Sequence, residues 1–111
     1  MKNINEMSYD EMTIEIATKL FQWEQRDGWW KIEETEIVRI DDWCPLIQIE
    51  DTEQVINFLI NQGWGFRINK EKDGPFECEV FVRQGNKCAG TSCEDSDLLV
   101  AICKTAIASA R

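Results

Sequence analysis

Cys88 and Cys93 stand with four residues between them, a spacing that supplies half of a tetrahedral zinc site. The other half needs a histidine or a second close cysteine pair. The 111 residues hold no histidine, and the remaining cysteines, Cys44, Cys78 and Cys103, form no such pair. No metal and no cofactor are therefore expected. The missing histidine also closes the Cys–His and Ser–His routes to a nucleophile. Glu77 and Glu79 share one face of a strand pattern at about 7 Å, a separation that inverting glycoside hydrolysis uses. Arg67 and Arg83 lie across the hairpin, however, and a solvated, charge-balanced strand face accounts for the pair. Gly90-Thr91-Ser92 precedes the last helix, where backbone N–H groups can hold an anion. Glu94, Asp95 and Asp97 already supply negative charge there. Neither a Gly-rich phosphate loop nor an Asp-x-Asp-x-Asp-Gly loop occurs. An enzyme is not expected.

The segment from Trp29 to Trp43 is different in kind. It holds Trp29, Trp30 and Trp43, three of the five tryptophans, beside Glu33, Glu34, Glu36, Asp41 and Asp42. Indole rings supply contact area and carboxylates pair with Lys or Arg, so these eight residues are the expected partner-binding set. The competing reading is that the tryptophans cap the core of a small domain. Trp64 begins a strand on an apolar face and is expected in the core.

Charge narrows the partner. Acids number 21 and bases 12, a net charge of −9. That balance repels nucleic acid and anionic membranes and favours a basic protein surface. Met1 to Asp10 has neither a basic n-region nor an apolar h-region, so no signal peptide is expected. The longest apolar run, Leu98 to Ile102, is far too short to span a membrane. The chain is expected in the cytoplasm of a bacterial host, where its five cysteines remain reduced. Cys78 and Cys103 read as small core residues.

The elements that position these residues follow from periodicity. One domain over residues 1–111 is expected, because 43% apolar and 30% charged residues suit a single globular core. Ser8 and Glu11 form a capping box, with Met7 and Met12 placed as a staple. Met12, Ile16, Leu20 and Trp23 continue at helical spacing, and the helix is expected to end before Asp27-Gly28. Trp29 to Ile49 reads as an edge or irregular strand, then a loop through Asp41-Asp42-Trp43-Cys44-Pro45. A second helix is expected from Asp51, capped with Gln54, with Val55, Ile56, Leu59 and Ile60 inward and Gly63 past its end. Trp64, Phe66 and Ile68, then Phe76, Cys78, Val80 and Val82, alternate as a hairpin about Lys72-Asp73-Gly74-Pro75. Gln84-Gly85-Asn86 is a turn, Lys87 to Ala89 a short strand and Gly90 to Glu94 a loop. Asp95 or Ser96 caps a last helix whose face is Leu98, Leu99, Ile102, Cys103, Ala106 and Ala110. The fold class is α+β: a compact α/β sandwich in which a small antiparallel sheet packs with three helices.

The chain resembles the phage ABA sandwich domain family of small phage and prophage proteins. The resemblance is carried by Leu20-Phe21-Gln22-Trp23, by the acidic-capped middle helix ending in Gly63-Trp64, and by the closing run Leu98-Leu99-Val100-Ala101-Ile102-Cys103-Lys104-Thr105-Ala106. Trp29 to Ile49 is longer and more acidic than that family's pattern. The resemblance implies an α/β sandwich and a phage or prophage origin. It brings no defined chemistry and no catalytic residues.

These readings converge on a small acidic phage accessory protein that inhibits a host defence or nucleic-acid-handling protein by binding it, as an anti-CRISPR protein or DNA mimic would. The alternative is a binder that sequesters a nucleotide defence signal, stacking it on Trp29, Trp30 or Trp43 with Arg26 or Arg39 on its phosphates. A homo-oligomeric virion component is the third reading.

Overall fold

The computed structural model describes residues 2–84 and 87–111. The first helix, α1, begins as the sequence predicts. The Ser8 side chain accepts the Glu11 N–H at 3.1 Å, and the Glu11 carboxylate accepts the Ser8 N–H at 3.1 Å. Helix α1 runs Tyr9–Glu15 and widens into a π-turn over Ile16–Leu20. Gln22 then takes a left-handed φ of +60°, and the Trp23 N–H returns to the Ala17 carbonyl. The helix therefore stops well before Asp27-Gly28. Trp23 still reaches the core, from the chain just beyond the helix.

The stretch expected as one edge strand is two strands of a three-stranded meander. Strands β1 (Glu24–Arg26), β2 (Trp29–Ile32) and β3 (Thr35–Arg39) pair antiparallel in that order. Asp27 and Gly28, at φ +55° and +81°, make the primed turn that an Asp-Gly pair favours. The second turn is Glu33-Glu34, with φ +54° at Glu33. A glutamate there is strained. The Arg26 guanidinium offsets part of that cost by donating to the Glu33 carbonyl at 3.1 Å.

Helix α2 spans Ile49–Asn61, two residues ahead of the expected start, and Gln48 at its N-cap makes no side-chain cap bond. Asp51 and Gln54 do not form the expected box. Asp51 instead accepts the Cys44 N–H at 2.9 Å, and Gln54 accepts the Trp43 indole N–H at 3.1 Å. The Thr52 hydroxyl lies within hydrogen-bonding distance of the Pro45 and Gln48 carbonyls. One turn of helix thus pins the preceding loop. Val55 and Leu59 are buried, Ile56 is half-buried and Ile60 is exposed. Gly63 closes the helix at φ +93°.

The second sheet holds β4 (Gly65–Lys70), β5 (Phe76–Gln84) and β6 (Lys87–Asp95), antiparallel in sequence order. Phe66 faces Val80 and Ile68 faces Cys78, the register that the alternation predicts. Gly90 to Glu94, expected as a loop, belongs to β6 and pairs with Glu77 to Phe81. The turn expected at Gln84-Gly85-Asn86 involves Gly85 and Asn86, which lie outside the described residues. On the outer face the Phe81 ring covers Gly65, where an added Cβ would come within 2.5 Å of ring carbons.

Helix α3 (Leu98–Ala110) is capped by Asp97, which accepts the Leu99 and Val100 N–H groups. Asp95 accepts from the Asp97 N–H and from Lys104. The helix packs on β5 and β6 on one side and on α2 and the α1 end on another. It is consequently buried on more than the expected face: Val100, Ala101, Thr105 and Ile107 join Ile102, Cys103 and Ala106 inside, while Ala110 is exposed. The buried Thr105 hydroxyl lies within hydrogen-bonding distance of the Ala101 and Cys78 carbonyls, linking α3 to β5. Arg111 meets the Glu15 carboxylate through Nε and Nη2 at 3.0 and 3.1 Å, fastening the chain end to α1. Among the described residues the architecture is α+β, with three α-helices and two small antiparallel sheets where a single sheet was expected. Among the described residues no helix is long and apolar enough to cross a membrane.

Candidate partner-binding surface

The eight residues singled out by type divide into two groups that face opposite ways. Period two sends Trp30 inward from β2 while Trp29 faces outward beside Arg39. Trp30 is 0% exposed and Trp43 is 3% exposed. Their rings belong to an aromatic cluster: Trp23 lies 6.4 Å from Trp30 and 5.0 Å from Trp43, and Phe21 stacks on Trp23 at 4.7 Å and meets Phe58 at 4.7 Å in a tilted arrangement. Trp30 and Trp43 therefore do not offer surface rings to a partner. They fasten the β1–β3 sheet to the helices, which gain from burying large rings that a three-stranded sheet cannot shelter alone. Trp29 is half-buried, with the Arg39 guanidinium 5.2 Å above its ring. Trp64, expected in the core, is half-buried against it.

The five carboxylates are all exposed. Glu33 and Glu34 form the β2–β3 turn, Glu36 lies on β3, and Asp41 and Asp42 lie in a 3₁₀ turn at Ile40–Asp42. Two of them are partly balanced. Glu34 is 3.6 Å from Arg26, which also holds Glu24 at 3.0 Å, and Glu36 is 4.0 Å from Lys31. Glu33, Asp41 and Asp42 have no ion-pair partner among the described residues. Glu50 and Glu53, on the exposed start of α2, extend the same stretch of chain. Residues 24–53 hold ten acids and three bases, so seven of the nine net negative charges reside there.

Sequence reasoning missed the apolar part of this surface. Ile32 and Ile37 of the meander are exposed at 42% and 39%, and Ile47, before α2, and Ile49, its first residue, at 66% and 57%. Their β-branched type reads equally as inward strand residues, so composition alone gives no signal of their exposure. These isoleucines, with Trp29, leave apolar area exposed in the chain segment whose tryptophans were expected to supply it.

The other candidates resolve locally. Glu79 lies 3.6 Å from Arg67 on the neighbouring strand, the charge balance anticipated for that face. Gly90-Thr91-Ser92 is strand, and the N-terminus of α3 is filled by Asp97. Cys78 and Cys103 are both fully buried. Burial, with Cys93 and Glu77 nearby, pushes the Cys78 thiol up to about 11, and burial pushes Cys103 up as well. Neither is a nucleophile at neutral pH. Among the described residues no three metal-ligating side chains come together. No family model, curated protein or solved structure matches the chain.

Proposed function

We propose that this is a small accessory protein of a phage or prophage that acts without covalent chemistry, binding a basic surface of a host protein and inhibiting it. A defence effector or nucleic-acid-handling enzyme fits best, because its groove is lined with Lys and Arg to hold a phosphate backbone. An anti-CRISPR protein or a DNA mimic would act this way in the host cytoplasm. The observation that carries the reading is the concentration of charge: seven of the nine net negative charges fall in residues 24–53, with Glu33, Glu34, Glu36, Asp41 and Asp42 all exposed. The exposed isoleucines of the same chain segment add the apolar area that a lasting interface requires.

The nucleotide-sequestering alternative has less support. Both stacking faces it would use on Trp30 and Trp43 are inside the protein, Arg39 lies on Trp29, and Arg26 is engaged by Glu24 and Glu34. The experiment is capture from bacterial lysate at low and high salt. One variant carries Glu33→Gln, Glu34→Gln, Glu36→Gln, Asp41→Asn and Asp42→Asn. A control carries five neutralised acids on the β4–β6 sheet. Salt-sensitive capture by the wild type and the control, lost in the first variant, is the expected result. Equal capture by all three proteins, or a thermal shift with a nucleotide and none with protein, refutes the reading.

A further inference from the structure

Cys78 of β5 and Cys93 of β6 are directly opposed in the strand register, and both are free thiols. Directly opposed residues of an antiparallel pair share one face of the sheet and hold their Cα atoms about 4.5–5.5 Å apart. That lies within the roughly 4.4–6.8 Å over which a disulfide bridges two cysteines. Their Cβ atoms, at about 4.5–5.5 Å, need only a small approach to bond through sulfur. Strand β6 is the outer strand of its sheet, so no further strand opposes that approach. The two residues differ in access. Cys78 is 0% exposed and clusters with Ala101 and Ile102 of α3, whereas Cys93 is only half-buried. One member of the pair keeps contact with solvent and the other has none.

We infer that Cys78 and Cys93 form a thiol–disulfide exchange site whose substrate is a small-molecule disulfide of the glutathione disulfide class. The Cys93 thiolate attacks one sulfur of that disulfide. A Cys93–glutathione bond forms, the substrate S–S bond breaks, and one glutathione leaves as thiolate. The Cys78 sulfur then attacks the Cys93 sulfur, and the second glutathione leaves, taking up the Cys78 proton. The chain loses two hydrogens and two electrons to become a cross-strand disulfide, and one glutathione disulfide becomes two glutathione thiols. Access sets the order, because only Cys93 meets solvent. Burial raises the Cys93 thiol, with Thr105 and Lys104 of α3 opposing that rise. Cys78 is no nucleophile toward solutes at neutral pH, but toward a sulfur held opposite it proximity offsets its reluctance to ionise. In a reducing cytoplasm the pair rests as thiols and closes when disulfide becomes abundant. None of the acids of residues 24–53 takes part, so this site stands independently of the binding reading.

The test is incubation of the folded, reduced full chain with excess glutathione disulfide at mildly alkaline pH. Acid quenching, alkylation and peptide mapping by mass spectrometry then locate every disulfide. A Cys78–Cys93 cross-link that carries no glutathione is the expected product. In Cys78→Ala, Cys93 is expected to accumulate as the mixed disulfide with glutathione, since nothing resolves it. In Cys93→Ser, Cys78 is expected to remain a thiol. Wild-type protein that retains glutathione on Cys93, or leaves Cys78 and Cys93 unreacted, overturns the proposal. A bridge from either cysteine to another, such as Cys88–Cys93, overturns it too, as does glutathione on Cys78 in Cys93→Ser. The wild-type map decides the matter even where a variant fails to fold.

Discussion

Truncating Trp43 separates a structural ring from a recognition ring. Trp43 is 3% exposed, its ring meets Trp23 at 5.0 Å and Phe21 at 5.8 Å, and its N–H donates to Gln54. A buried tryptophan removes about 200 Å² from water, worth about 5 kcal/mol at most before compaction of the unfolded chain is discounted. Trp43→Ala keeps only the Cβ and leaves a cavity, so a loss of about 3–5 kcal/mol is expected. For a chain of this size that lowers Tm by roughly 12–20 °C. Gln54 is exposed and regains water, so its lost bond adds little. Trp29→Ala, at a half-buried ring that keeps company mainly with Arg39, is expected to cost about 1–2 kcal/mol. The assay is urea unfolding followed by far-ultraviolet circular dichroism, which avoids the tryptophan fluorescence that the substitutions change. A Trp43→Ala unfolding free energy within about 1 kcal/mol of wild type, with m unchanged, would refute the core assignment.

Two further outcomes rest on separate features. Glu33→Gly replaces a strained left-handed residue in the β2–β3 turn and is expected to stabilise the chain by about 0.5–1 kcal/mol, read as a rise in Tm; a fall in Tm contradicts the turn geometry. The buried Cys78 thiol, pushed up to about 11 from 9.0, holds its proton in the folded state where the unfolded chain loses it. Stability from this thiol is therefore full below pH 9.0 and is lost as pH rises toward about 11. Denaturant titrations across that window are expected to show a steeper alkaline loss for wild type than for Cys78→Ala; equal slopes contradict the burial argument.

What could be read from the chain was what neighbouring residues decide among themselves. The Ser8–Glu11 capping box, the Gly63 helix end and the β4–β5 register are local, and each appears as its pattern requires, although Ile68 on the apolar face of β4 is exposed. Asp51 and Gln54 match a capping pattern equally well, yet their side chains serve Cys44 and Trp43, contacts that exist only once the loop has folded back. Only the Lys87–Ala89 start of β6 was legible, because Gly-Thr-Ser-Cys-Glu lacks apolar alternation; the order of that part comes from pairing with β5. The Glu33-Glu34 turn carries no Gly or Asn, so nothing in its composition announces a positive φ. Of the candidate site, the carboxylates could be placed on the surface from their charge alone. The inward turn of Trp30 and Trp43 could not, because an indole suits a core and an interface equally and only strand register decides.

The central claim is that exposed acids in residues 24–53 bind a basic protein surface. Its most direct measurement is the affinity of the captured partner, by calorimetry at several salt concentrations, for the wild type and for the two neutralised variants. The account predicts binding that weakens steeply with salt, with the Glu33-to-Asp42 neutralisation both reducing affinity and flattening the salt dependence while the β4–β6 control leaves both unchanged. Affinity indifferent to salt, or a control variant that loses as much as the first, would contradict it.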